Sequence, residues 1–171
     1  YHQNLAYKNY KVLKEKATHL YLSNEEINQL EELDLSHKPY LQNARDFFFL
    51  GLYTGMRFSN YEKINPGSVQ GNFLVTIDEK EGHELRIPIL PKARILLDKL
   101  FSGELYPISN QKLNNYIKKV AQEAGWDEPI EVVRQRGATT IREDFPKWSL
   151  FQTHDGRRAF ITKCLRDGIP A

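Results

Sequence analysis

Phe47-Phe48-Phe49-Leu50-Gly51-Leu52-Tyr53-Thr54-Gly55-Met56-Arg57 closes the most hydrophobic helical segment of this chain, and the rest is best read outward from it. The spacing predicts a helix from about Tyr40 to Tyr53. Its stripe of Phe47, Phe48, Leu50 and Leu52 is dense enough for a central core helix around which the other elements pack. Gly55 is the stop, because glycine takes the left-handed turn that ends a helix at no steric cost. Arg57 follows that stop. It is compatible with two readings: a surface residue capping the last carbonyls, or a residue held in a cleft by the core behind it.

Toward the N-terminus, Ser36 to Pro39 breaks the pattern, and an earlier helix begins after Ser23. Ser23 and Glu26 have capping-box spacing, and Ile27, Leu30 and Leu33 follow at helical intervals. Residues 1–20 have no clean period and read as a basic linker or arm. Toward the C-terminus, a short helical turn follows Phe58 and stops at Asn65-Pro66-Gly67. The period then changes to two. Phe73, Val75 and Ile77 alternate, as do Leu85 and Ile87 beyond Glu79–Glu84, with Gly82 in the connection: a β-hairpin, with a third short strand near Ser68–Gln70. Helices follow from about Lys92 to Leu100 and from Ser109, an N-cap, to Ala124, stopped by Gly125; Leu113, Tyr116, Ile117 and Val120 form the buried face of the second. Val132 to Ile141 reads equally as a strand pair turning at Gly137 or as an irregular loop holding Arg134 and Arg136 against a polyanion. A last helix runs from about Asp155 to Arg166 and ends at Gly168. Helices dominate around one small antiparallel sheet, so the fold class is α+β.

Composition narrows the function classes. A hydrophobic fraction of 40% and a charged fraction of 27% are ordinary for a soluble globular chain, and 171 residues make one domain with a real core. No apolar run approaches the roughly 20 residues of a membrane span, and Tyr1–Tyr10 has no apolar signal region. Cys164 is the only cysteine, which excludes an internal disulfide and fits a reducing compartment. The chain starts without Met and ends just after Gly168-Ile169-Pro170, which reads as part of a longer protein. The net charge is only +2, but Lys8, Lys11, Lys14 and Lys16 crowd one end. Arg134, Arg136, Arg142, Lys147, Arg157, Arg158, Lys163 and Arg166 crowd the other, with Glu25, Glu26, Glu31, Glu32 and Asp34 between. A polyanion would meet the ends.

Three groups could carry chemistry. Arg57 is the first. His154 and Arg157 are the second: in Thr153-His154-Asp155-Gly156-Arg157-Arg158 they lie three apart at a helix start, so they share a face. Two donors at a helix N-terminus suit a phosphate; the plainer reading is a solvated basic helix end. Lys80, in Glu79-Lys80-Glu81-Gly82, is the third, and taken alone a hairpin-turn lysine is simply solvated.

In this order, the motifs resemble the catalytic domain of the tyrosine recombinase (phage integrase) family over nearly the whole chain, from about Leu22 to Ala171. The matching pieces are the core helix entering Thr54-Gly55-Met56-Arg57-Phe58-Ser59, Lys80-Glu81-Gly82 leading to Arg86-Ile87-Pro88-Ile89, and His154-Asp155-Gly156-Arg157-Arg158-Ala159-Phe160-Ile161-Thr162. The Phe58-Ser59 form looks like integrases of mobile elements in Bacteroidetes-type bacteria. The resemblance implies the fold of DNA breaking-rejoining enzymes and site-specific recombination through a 3′-phosphotyrosine, without metal or other cofactor. Under it, Arg57 and Arg157 grip the non-bridging oxygens of the scissile phosphate. His154 donates to the same phosphate, and Lys80 protonates the departing 5′ oxygen. Arg134, Arg136 and Arg158 are candidate contacts to the DNA backbone, with Arg158 equally a structural residue.

Two positions depart from the family pattern. Asn60 stands where an acidic residue is usual, three after the first arginine. All nine tyrosines precede His154, so none occupies the nucleophile's place. The resemblance therefore implies a recombinase domain in residues 21–171 whose nucleophile lies beyond the chain, following an arm, residues 1–20, that leaves an N-terminal DNA-binding domain. The fragment alone would bind double-stranded DNA as a monomer without cutting it. The full-length protein would act as a tetramer on DNA in the bacterial cytoplasm, away from membranes. The rivals are a degenerate recombinase-like module that only binds DNA, and a type IB topoisomerase.

Overall fold

The structure is a computed structural model that describes residues 19–78, 82–136 and 139–169, with the backbone alone at Arg136. Lys80, the turn at Gly137 and the arm before residue 19 lie outside the described residues. In chain order the elements are α1 (Asn24–Glu32), α2 (Pro39–Thr54), α3 (Phe58–Tyr61), a 3-10 turn (Pro66–Ser68), β1 (Val69–Gln70), β2 (Phe73–Ile77) and β3 (Glu84–Pro88). Then come α4 (Pro91–Ser102), α5 (Asn110–Glu123), β4 (Pro129–Arg136), β5 (Thr139–Pro146), α6 (Lys147–Leu150) and α7 (Thr153–Arg166). The α+β expectation holds.

The hydrophobic stripe of α2 makes it the axis of the domain. Phe47, Phe48, Phe49, Leu50, Gly51 and Leu52 are all buried, so the helix is covered on every side over its last turns. It packs against α4, α5 and α7. Edge-to-face rings tie the core together: Phe48 meets Phe151 at 5.0 Å, Phe151 meets Trp126 at 5.2 Å, and Phe47 meets Tyr61 at 5.2 Å. The one buried amide in the body of α2 is satisfied: Asn43 donates to the Tyr106 carbonyl at 3.0 Å and accepts from its N–H at 2.9 Å.

Helix ends follow the sequence closely. The Ser23 and Glu26 capping box forms at α1, Ser109 caps α5, and Gly55 ends α2 with φ of 65°. The hairpin also forms, with Phe73↔Pro88 to Ile77↔Glu84 in register and β1 added on its outer edge. Its faces are the reverse of what the large residues suggest. Leu74 is fully buried, opposite Ile87, while Ile77 is 65% exposed and Phe73 lies under the Arg86 guanidinium at 4.6 Å. The core takes the face of Leu74, and Asp78 follows on the same parity. Of the two readings open for Val132–Ile141, the described residues take the strand pair: β4 and β5 pair over eight positions, from Pro129↔Pro146 to Arg136↔Thr139.

Two glycines bring α7 onto α2. A Cβ on Gly156 would lie 3.0 Å from the Phe48 ring, and one on Gly55 would lie 2.3 Å from the Phe160 ring. No side chain larger than hydrogen fits at Gly55, and its positive φ adds a second reason for glycine. Gly55→Ala is expected to cost about 1–2 kcal/mol in backbone strain alone, plus the displacement of Phe160. Urea denaturation should show a lower midpoint. An unchanged midpoint would mean that this contact does not hold the helices.

Candidate functional site

The contact between α2 and α7 brings three of the sequence-selected residues near one another, and two of them line one cleft. After Gly55 the chain turns through Met56, which is 2% exposed and anchors the turn in the core. Arg57 follows in extended conformation at the N-cap of α3. Its guanidinium donates to the carboxylate of Asp78, at the end of β2. Arg57 is thus tied to the end of the hairpin. The carbonyl at the end of α2 is taken instead by Arg157, which donates to Gly55 O across the helix contact.

The first turn of α7 is fixed by polar contacts on both sides. Asp155, 2% exposed, accepts from the Gln152 N–H at 2.8 Å and from Arg158 at 2.8 Å. Burial raises its pKa, and these two donors oppose that rise. The Thr153 N–H donates to Asn114 Oδ1 at 2.9 Å, which ties α7 to α5. With the helix start pinned, His154 and Arg157 point from one face into a cleft of about 170 Å³. Met56, Phe58, Tyr61 and Asn114 line the rest of it.

His154 senses the charge there. Desolvation lowers its pKa below the ordinary 6.5, and Arg158, Arg157, His19 and Arg57 lower it further in that order. The imidazole is therefore mostly neutral at neutral pH, with one N–H to donate and one nitrogen to accept. Two hydroxyls of the lining have no hydrogen-bond partner: Tyr61 OH and Thr153 Oγ1. Burial raises the Tyr61 pKa, so this phenol stays protonated.

Arg57, His154 and Arg157 are thus brought together from distant parts of the chain. Lys80 lies outside the described residues, although Asp78, two positions before it, is bound to Arg57. Arg158 is engaged by Asp155 and approaches the His19 ring at 3.4 Å. Arg134 is remote in the fold, over the Phe145 ring on the β4–β5 ribbon at 5.5 Å. The Arg136 side chain is outside the described atoms. Asp78 was missed from sequence. Its signal was parity: it continues the buried Leu74 face, and a carboxylate there needs a cation. No His, Cys, Asp and Glu grouping among the described residues could hold a metal.

Solved structures share this architecture. A lambda integrase dimer bound to a COC′ core site superposes with a TM-score of 0.63 over 94% of this chain, at 16% identity. The lambda integrase catalytic core gives 0.58 over 86% of this chain and 84% of its own, at 15% identity. The fold is that of the lambda integrase catalytic core. A lambda integrase tetramer bound to a Holliday junction gives 0.61, at 15% identity. The chain spans about half the length of these DNA-bound integrases, 57% of the dimer chain and 46% of the tetramer chain. No protein-family model matches the sequence, and no curated protein matches it.

The environment of His154 is directly measurable. In a side-chain NMR titration its midpoint should lie below 6.5 in the free protein. It should rise when a phosphodiester enters, because an anion favours the imidazolium. A midpoint at or above 6.5 before any anion is added would contradict the arrangement of charges described above.

Proposed function

We propose that this chain is the phosphate-handling part of a tyrosine recombinase that integrates or excises a mobile element. The observation that carries this reading is the convergence of Arg57, His154 and Arg157 at the α2–α7 contact, on a lambda integrase fold. The chemistry follows from the charges. When a tyrosine oxygen attacks a DNA phosphorus, negative charge builds on the non-bridging oxygens. Two guanidinium forks held from behind stabilise it without reorganising. Arginine suits this better than lysine, being planar and permanently charged. Neutral His154 donates a further hydrogen bond, and the anion raises its proton affinity in place.

The P–O5′ bond then breaks, and the leaving oxygen takes a proton, which we assign to Lys80. The 3′ phosphate stays on the tyrosine until a 5′ hydroxyl reverses the step. We assign none of the nine tyrosines of this chain as the nucleophile. The partner is double-stranded DNA, and the working assembly is a tetramer.

One observation favours the rival, a module that binds DNA without cutting it. Asn60 is 3% exposed, and its amide nitrogen has no partner, at the position where the resemblance leads one to expect an acid. Against this, Asp78 supplies Arg57 with a carboxylate from the hairpin. The two readings separate on a suicide DNA substrate. The longer gene product should form a covalent 3′ adduct, and this chain alone should not. Arg57→Ala and Arg157→Ala should each lower adduct formation by on the order of 10²–10³. Adduct from this chain alone, or none from the longer product, would refute the assignment.

Asp78→Asn tests the hairpin's part. It keeps the shape but removes the charge behind Arg57. Adduct formation should fall while DNA binding at low salt persists. Equal losses of both would make Asp78 a structural residue only.

A further inference from the structure

The β4–β5 ribbon is the largest feature that the cleft does not use. It divides sharply by charge. The near half, Pro129–Val132 with Glu143–Pro146, carries Glu131, Glu143 and Asp144 and no cation. The far half, Val133–Arg136 with Thr139–Arg142, carries Arg134, Arg136 and Arg142, with Gln135, Thr139 and Thr140 between them and no carboxylate. The halves also differ in packing. Val132 is 5% exposed, and Ile130 and Phe145, opposite one another, are partly buried. Beyond them Val133, Arg134, Gln135, Thr139, Thr140 and Arg142 are all exposed.

Ile141 is the one partly buried side chain among the described residues of the far half, and a two-stranded ribbon that buries so little is marginal in water. The far half therefore adds little to the core, and what it presents is a run of hydrogen-bond donors. Of the near acids Glu131 pairs with Arg142, while Arg134 stands opposite Ile141 in the ladder. Arg134 is braced over the Phe145 ring at 5.5 Å, which limits the freedom it would lose on binding. Arg142 lies 2.9 Å from Glu131, in an exposed pair that a stronger anion can displace. The ribbon also springs from the site: only residues 147–152 separate β5 from Thr153.

Resting on the recombinase reading, we propose that the far half of this ribbon is a second DNA contact, laid along the sugar-phosphate backbone away from the cleft. Phosphate oxygens are acceptors, and arginine, glutamine and threonine are the side chains that meet them. A two-stranded ribbon also has the width to follow a major groove.

The test uses the 171-residue chain and its Arg134→Gln, Arg142→Gln and double variants, titrated with a 30-base-pair duplex across a range of salt. Each lost phosphate contact should reduce the slope of log K against log salt by about 0.9, so the double variant should lose roughly 1.8. Both residues are exposed, so thermal melting should not move. A photocrosslinker at Thr140 should label the duplex. An unchanged slope in the double variant, with wild-type binding intact, overturns the ribbon contact and leaves the recombinase reading standing. An unchanged slope with weakened self-association in sedimentation overturns it in favour of a second copy of this chain. No salt-dependent DNA binding by the wild type overturns both.

Discussion

The close approach of α7 to the end of α2 is the constraint on which the rest depends. Helices usually pack with axes 8–10 Å apart, and the side chains at the contact set that distance. Here Gly55 lies under Phe160 and Gly156 lies against Phe48, so each helix offers a hydrogen where the other offers a ring. The contact is local, yet it fixes two cations separated by a hundred positions in sequence. Arg57 leaves the turn that Gly55 makes, and Arg157 leaves α7 one residue after Gly156. Arg157 then donates to the Gly55 carbonyl, so the polar bond and the apolar contact reinforce the same geometry.

Gathering Arg57, Arg157, Arg158 and His154 in one place is electrostatically unfavourable until an anion arrives. Acceptors within the fold offset part of that repulsion. Asp78 meets Arg57, Asp155 meets Arg158, and a backbone carbonyl meets Arg157. None of these acceptors lines the cleft. What repulsion is left falls on the group best able to absorb it. His154 loses its proton, a small cost for an imidazole and an impossible one for a guanidinium.

Much of this was legible in the sequence because it rests on local rules. The Ser23 capping box, the Gly55 stop, the core stripe of α2 and the two-residue period of the hairpin each depend on neighbours a few positions away. Those rules also placed Arg57, His154 and Arg157 correctly in their elements. What was not legible depends on distant partners. Sequence could not choose between capping and burial for Arg57, because Asp78 decides it from another element. It could not choose strand or loop for Val132–Ile141 either, since apolar and polar residues mix on both faces of the ribbon's far half and leave no clean alternation. The hairpin was paired correctly, but its buried face was hidden, because Phe73 and Ile77 outweigh Leu74 in bulk while lying on the solvent side.

Asn60 shows how these levels interact. Taken as a motif position, an amide in place of an acid weakens the support of the first arginine. In the fold, Asn60 is buried with its amide nitrogen unpartnered, and a carboxylate reaches the arginine from the hairpin instead. Moving the carboxylate from α3 to the end of β2 changes more than its address. A partner on the same short helix would hold Arg57 whatever the hairpin did. A partner on the hairpin makes the position of Arg57 conditional on the strand that leads to Lys80.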